Sequence, residues 1–156
     1  MVTITTRNYW MAPLLMVLVW LVWKGERRGR AAAVIILLAV AASDVTIARV
    51  FKPEIGRLRP CYVLENVRLL IPCGGKHSFP SSHASNSFAV AITLAYFYRR
   101  YAGLGLALAF LVGLSRIVVG VHYPGDVLGG FIFGGLCALL FLTLYQKLDR
   151  KMATSQ

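Results

Sequence analysis

Ser115 to Asp126 reads SRIVVGVHYPGD and closes one apolar run, Gly103 to Val121, just before another, Val127 to Leu144. An arginine inside a membrane segment costs roughly 2.5 to 3.5 kcal/mol on insertion scales, so Arg116 should face a partner, a polar cavity or an anionic ligand rather than lipid. Six residues on, about 9 Å along a helix, stands His122. Tyr123-Pro124-Gly125 then breaks the helix ahead of Asp126. Asp126 has an ordinary explanation as the N-cap of the following helix, and a histidine at a helix end is commonly structural. A histidine with a carboxylate four residues on also describes an oriented imidazole. The stretch alone leaves both readings open.

The flanking runs decide the fold class. The chain has 156 residues, 58% of them hydrophobic, well above the apolar share of a soluble globular domain. Apolar runs lie at Tyr9 to Trp23, Ala31 to Phe51, Ala84 to Tyr98, Gly103 to Val121 and Val127 to Leu144. This predicts one all-α domain, residues 1–156, built as a polytopic membrane bundle of about five transmembrane helices. The first and third runs are short for a hydrocarbon core of about 30 Å, which takes roughly 20 residues, and need flanking polar residues to snorkel or extend them. Tyr9 to Trp23 differs from a secretory signal because its positive charges follow the apolar run and no small-residue cleavage site stands out, so it is expected to remain in the mature protein.

Charge sets the expected orientation. Lys24, Arg27, Arg28, Arg30, Arg99, Arg100, Lys147, Arg150 and Lys151 follow the first, third and fifth runs, which predicts that those ends are cytoplasmic. Arg7, Lys52, Arg57, Arg59, Arg68 and Lys76 fall on the other side, five of them crowded between the second and third runs. Such crowding calls for an anionic ligand. The net charge of +11 does not indicate nucleic acid, since no basic helix, zinc-finger spacing or soluble domain accompanies it. Membrane lipids are the expected neighbours, and nothing in the sequence calls for an obligate protein partner.

Trp10, Trp20 and Trp23 near the ends of the first run suit an interfacial anchor. The second run should end at Lys52, because Pro53 disfavours helical geometry in the residue before it. It carries an intramembrane carboxylate, Asp44, about 80° and roughly 12 Å from Lys52 on a regular helix. Direct pairing is therefore not expected, and Arg116 becomes the candidate partner. Pro53 to Pro80 reads as a structured loop from its proline and glycine content. Within it, YVLENVRLLIP between Cys61 and Cys73 has apolar residues at helical spacing and predicts a short amphipathic helix at the interface, either a lid or a packing element. Cys61 and Cys73 are disulfide candidates closing a 13-residue loop, worth about 3 kcal/mol in the chain-entropy model. Cys137 should stay free. Ser78-Phe79-Pro80-Ser81-Ser82-His83 precedes the third run as a helix start, where open amides and the helix dipole favour an anion unless the serines cap them. Gly125, Gly129, Gly130 and Gly134 form overlapping small-xxx-small pairs, read as packing within the bundle.

Under this topology Lys52, Arg59, Ser81, His83, Arg116, His122 and Asp126 all fall on one membrane side, a convergence that did not enter the topology. Three cations and two imidazoles describe phosphoryl chemistry. These residues resemble the type 2 phosphatidic acid phosphatase superfamily, whose motifs are Lys, six residues, Arg-Pro; then Pro-Ser-Gly-His; then Ser-Arg, five residues, His, three residues, Asp. Here they read K-PEIGRL-RP, PSSH and SR-IVVGV-H-YPG-D, in the family's order from Lys52 to Asp126. Ser82 stands in place of the family's glycine. Its backbone N–H still serves a phosphate, while its side chain narrows the pocket or adds a donor.

The resemblance implies that His122 attacks phosphorus, Asp126 holds its imidazole, and His83 protonates the leaving alcohol and then activates water, roles that agree with general principles of acid–base and nucleophilic catalysis. Lys52, Arg59, Arg116, Ser81 and the amides of Ser82 and His83 would neutralise the equatorial oxygens. The expectation is metal-independent hydrolysis of a lipid phosphate with no cofactor, by a five-helix version lacking one N-terminal helix of the family. The site should face the periplasm or exterior of a bacterial inner membrane, with lipid A 1-phosphate ahead of phosphatidylglycerol phosphate and undecaprenyl pyrophosphate as substrate. Arg57, Arg68 and Lys76 enter that ranking as surplus charge for a second phosphate. Asp44 is expected to fix the orientation of Arg116. The alternative from another class is a membrane scaffold or metal-binding protein using His77, His83, His122, Asp126 and the cysteines as zinc ligands, which leaves the basic cluster unexplained. A vanadium haloperoxidase shares the motifs but is soluble.

Overall fold

A computed structural model describes residues 7–65 and 69–154. Its order is α1 (Arg7–Lys24), α2 (Glu26–Ile55), α3 (Pro60–Val63), α4 (Ser82–Phe97), a 3-10 turn (Arg99–Tyr101), α5 (Ala102–Val118) and α6 (Pro124–Thr154). Among the described residues the only β pairing is one antiparallel bridge between Leu58 and His77. The protein is an all-α integral membrane protein. Glu26–Ile55 with 30 residues, Arg99–Val118 with 20 and Pro124–Thr154 with 31 are long and apolar enough to cross a bilayer. α1 and α4 are shorter, at 18 and 16 residues. Leu37, Phe110, Leu128, Leu136 and Leu140 point outward and exposed, the surface that a bilayer rather than water would cover.

Small residues let the helices meet. At Gly134 of α6 a Cβ would overlap the Ser85 carbonyl of α4, and at Gly130 it would stand 2.5 Å from the Ser81 carbonyl. Any side chain there would push α6 off α4, so the small-xxx-small pairs serve packing within the bundle. In the same layer Ser85 shares a 2.6 Å hydroxyl hydrogen bond with Ser43 of α2. Ala39, Ala89, Cys137 and Ala138 fill the middle of the bundle. Leu21, Ile35, Ile36, Phe97 and Leu142 form a larger cluster towards the end of the bundle where α1 turns into α2. At that end Arg27 pairs with Asp149 at 2.8 Å and Arg28 donates to the Phe97 carbonyl at 3.1 Å. Basic residues from after the first and fifth runs thus share the end where α4 finishes.

Two expectations need correction. α2 does not stop at Lys52: a π turn over Ile47–Phe51 leads into a last helical turn, Lys52–Ile55, capped by Gly56 in the left-handed conformation, φ 61°. The Lys52 N–H reaches back five residues to the Ile47 carbonyl. That wider turn displaces the ladder just before Pro53, where a proline ring would otherwise press on a carbonyl. The amphipathic loop helix is the second. Among the described residues of this stretch helix covers only Pro60–Val63; 64–65 and 69–73 are not helical, and residues 66–68, at the centre of the expected helix, lie outside the described residues. Cys61 and Cys73 are joined in a disulfide, with Cα atoms 6.2 Å apart, and Cys137 is a free, buried thiol. The loop is tied further by Arg59 N–H to the Lys76 carbonyl at 3.2 Å, Ser78 N–H to the Arg57 carbonyl at 2.7 Å and Tyr62 hydroxyl to the Gly74 carbonyl at 3.0 Å.

Candidate active site

The end of the bundle away from the Arg27–Asp149 pair holds a cavity of about 590 Å³. Asp44 and Lys52 of α2, Arg59 of the loop, Ser82, His83 and Asn86 of α4, Arg116 of α5 and His122 beyond it line its polar part. Val40, Val90, Leu94, Leu108 and Val112 continue the wall with hydrocarbon. From His83 to Leu94 the wall follows eleven residues of α4, about 16 Å of helix axis, towards the far end of the bundle. One cavity therefore joins a cationic head to an apolar slot.

Each polar residue is delivered by a local feature. The prolonged α2 brings Lys52 to the rim. The Leu58–His77 bridge and the Arg59–Lys76 bond turn Arg59 inward, where it is 8% exposed. α5 ends by giving the Arg116 carbonyl to the Val121 and His122 amides, both at 3.3 Å, and this tight exit leaves His122 only 3% exposed. At the start of α4, Ser81 donates its backbone N–H to the Asp126 carbonyl at 2.9 Å, and no side chain caps the helix. Capping, the ordinary reading of PSSH, is therefore not what these serines do. Ser81 Oγ and Arg59 Nε are buried without a hydrogen-bond partner among the described residues, a state that calls for an explanation such as an anion site.

His122 has a defined polarity. Nδ1 lies 3.4 Å from Asp126 Oδ2, ion-pair distance but long for a hydrogen bond. Nε2 lies 3.4 Å from Arg59 Nη1. A guanidinium can only donate, so Nε2 carries the lone pair and Nδ1 the proton. Burial, with the Arg59 and Arg116 charges adding to it against the opposing pull of Asp126, pushes the imidazole down to about 4. It is neutral at physiological pH, with Nε2 directed to the cavity as a nucleophile requires.

Asp126 is fully buried and more heavily engaged than expected. Oδ2 accepts the Tyr123 N–H at 2.9 Å, and Oδ1 pairs with Arg57 Nη1 at 3.0 Å. Sequence reasoning placed Arg57 with the charge available to substrate. The structure instead directs it to Asp126, and 69 residues of separation gave no local signal of that pairing. Asp44, expected to be buried, is exposed on the cavity wall, and its charge acts on Lys52. The π turn changes the angular offset that argued against their proximity. Arg68 lies outside the described residues, and Lys76 is exposed. Among the described residues no three metal-ligating side chains converge; Cys61 and Cys73 are bonded to each other.

A membrane helix bundle with cations, two histidines and uncapped helix amides around one cavity suits a phosphate carried on a lipid. The chain belongs to the PAP2 superfamily, which it matches over residues 31–150. It is 34% identical to a lipid A 4'-phosphatase of Bacteroides thetaiotaomicron over 76% of this chain and 56% of that protein. It is 34% identical to a lipid A 1-phosphatase of Rhizobium etli over 65% of this chain and 45% of that protein. With phosphatidylglycerophosphatase B of Bacillus subtilis it shares 31% identity over 74% and 60% of the two chains. The chain spans about half the length of the curated relatives it matches most strongly. The crystal structure of Aquifex aeolicus LpxE superposes with a TM-score of 0.71 at 30% identity, covering 86% of this chain and 77% of that one.

Proposed function

We propose that the protein hydrolyses a lipid phosphate monoester, without a metal, through a phosphohistidine on His122. The observation that carries this reading is the single cavity in which Lys52, Arg59, His83, Arg116 and His122 meet an apolar slot, head and slot together following α4 from His83 to Leu94 for about 16 Å. A phosphate held by the three cations and the first amides of α4 presents phosphorus to His122 Nε2. The nucleophile forms a P–N bond as the P–O bond to the lipid alcohol breaks, and His83 donates the proton that the leaving oxygen takes. Water, deprotonated by His83, then attacks phosphorus and returns Nε2 with its lone pair. Asp126 holds the Nδ1 proton and stabilises the positive charge that the imidazole gains.

The five long helices read as five crossings, with polar flanks extending α1 and α4. The basic end is cytoplasmic and the cavity opens to the periplasm or exterior. The disulfide in the loop beside the cavity supports that side, since such bonds persist in oxidising compartments. Lipid A 1-phosphate is the first substrate to test, supported by the apolar slot that continues from the cationic head and by relatives named for lipid A. Phosphatidylglycerol phosphate and undecaprenyl pyrophosphate come next. The engagement of Arg57 with Asp126 removes part of the case for a second phosphate. The test is phosphate release from each lipid in matched detergent. The wild type should cleave at least one and yield an acid-labile phosphoenzyme on rapid quench, and His122→Ala should abolish both. Near-normal turnover by His122→Ala would end the mechanism, and inertness towards lipid A would end that substrate.

A further inference from the structure

We infer that Arg57 is a positioning residue for the nucleophile: it clamps the Asp126 carboxylate so that this carboxylate holds His122 in one tautomer and orientation. The inference builds on the proposed role of His122. Asp126 offers two oxygens with different duties. Oδ2 faces both the Tyr123 N–H at 2.9 Å and His122 Nδ1 at 3.4 Å, while Oδ1 is held by Arg57 Nη1 at 3.0 Å. Without Arg57 the Tyr123 N–H is the remaining hydrogen bond that restrains the carboxylate's terminal torsion, which has a broad, two-fold preference. The 3.4 Å histidine contact, the longest of the three, is the one a turned carboxylate would lose first. Asp126 is also completely buried, and a buried carboxylate without a paired cation is strongly destabilised.

Arg57 is itself fixed at both ends. Its guanidinium lies over the Tyr123 ring, 4.1 Å from the centroid. Its backbone carbonyl accepts from both the N–H and the hydroxyl of Ser78, at 2.7 and 3.1 Å, and Ser78 is fully buried. Only Pro124 and Gly125 separate the stacked ring from the carboxylate: Tyr123 and Asp126 belong to one turn, closed by Asp126 N–H to the Tyr123 carbonyl at 3.0 Å. Arg57 thereby staples the loop after α2 to the turn that carries His122. It is absent from the cavity lining, and its guanidinium pairs with Asp126. A lysine at this position would keep the charge and lose the planar stacking and the fork.

The experiment is a double-mutant cycle on Arg57→Ala and Asp126→Asn in the detergent-purified full chain, with Arg57→Lys alongside. Arg57→Ala is expected to lower kcat by about tenfold to a hundredfold, with KM within about twofold, and Arg57→Lys to recover part of the loss. In the Asp126→Asn background the Arg57→Ala effect should shrink to less than about threefold, since coupled residues do not add. A raised KM with unchanged kcat, or additive losses, would overturn the inference and make Arg57 a substrate contact. A second readout needs no turnover. In protein labelled with ¹⁵N-histidine, with His122→Asn identifying the signal, wild-type His122 should show the Nδ1–H tautomer and Arg57→Ala a mixture. An unchanged tautomer in Arg57→Ala overturns the inference even if no lipid has been cleaved, whereas a wild type inert to every lipid with the tautomer shift intact defeats only the proposed function.

Discussion

His122 shows how a single residue is tuned by its surroundings. Its imidazole is pushed from the ordinary 6.5 to about 4, first by burial. Between those values the unfolded chain binds a proton that the folded protein refuses, so stability rises with pH across that window. The contribution is present in full above pH 6.5 and decays as pH falls towards 4. The apparent Tm of the wild type in detergent should fall over this interval, and His122→Asn, which cannot titrate, should lack that part of the fall. Equal losses in both proteins would place the acid sensitivity elsewhere. Asp44 makes the opposite case, a carboxylate exposed in a cavity of cations. The sequence-based expectation that it orients Arg116 is tested by Asp44→Ala, which on that reading lowers kcat at least tenfold without a loss of Tm. Unchanged kinetics would leave it as part of the wall.

At the scale of elements, the site depends on how closely α4 and α6 approach. Gly130 and Gly134 bring the α6 backbone against the Ser81 and Ser85 carbonyls, and Ser81 in turn donates to the Asp126 carbonyl. The first turns of α4 and α6, which carry His83 and Asp126, are held together by backbone contact rather than by long side chains. Gly134→Val should therefore cost about 1 to 3 kcal/mol as overpacking and reduce activity beyond what the fraction of folded protein explains. Differential scanning fluorimetry with kinetics at saturating lipid checks both effects. A fully active variant of wild-type Tm would mean that α6 can stand off α4 without moving the site. The disulfide and the Leu58–His77 bridge act in a similar way on the loop, fixing Arg59 from the opposite direction.

For the whole molecule, the arrangement that matters is the convergence of Lys52, Arg59 and Arg116 from three elements on one cavity. In the proposed mechanism these fixed cations take the part that a magnesium ion takes in other phosphoryl-transfer sites. Activity should therefore persist in excess EDTA and fall with vanadate, whose trigonal-bipyramidal form resembles the transition state. Inhibition by EDTA that zinc or magnesium reverses would refute metal independence. The same convergence explains why the exposed apolar belt and the cationic head coexist. The bundle presents Leu and Phe outward to lipid and turns Asp44, Lys52 and Arg116 of its spanning helices into one cavity, as the cost of burying charge in hydrocarbon favours.

The amino-acid sequence by itself determined the membrane bundle, since apolar runs of this length have few other solutions in water or lipid. It also determined the residues of the candidate site, because the K-x6-RP, PSSH and SR-x5-H-x3-D spacings are local properties of the chain. The basic residues at alternate helix ends were legible for the same reason. The tertiary structure alone decided which groups meet. Arg57 and Asp126, far apart in sequence, pair because the Ser78 and His77 contacts fold the loop over the Tyr123 turn. The helix carrying Lys52 continues past Pro53 because a π turn shifts the hydrogen-bond ladder, and Asp44 reaches the cavity surface on the same helix. Periodicity records which face of a segment is apolar, but a salt bridge or an open cavity depends on distances between segments. Those are set by packing, here by glycines thin enough to let two helix backbones touch.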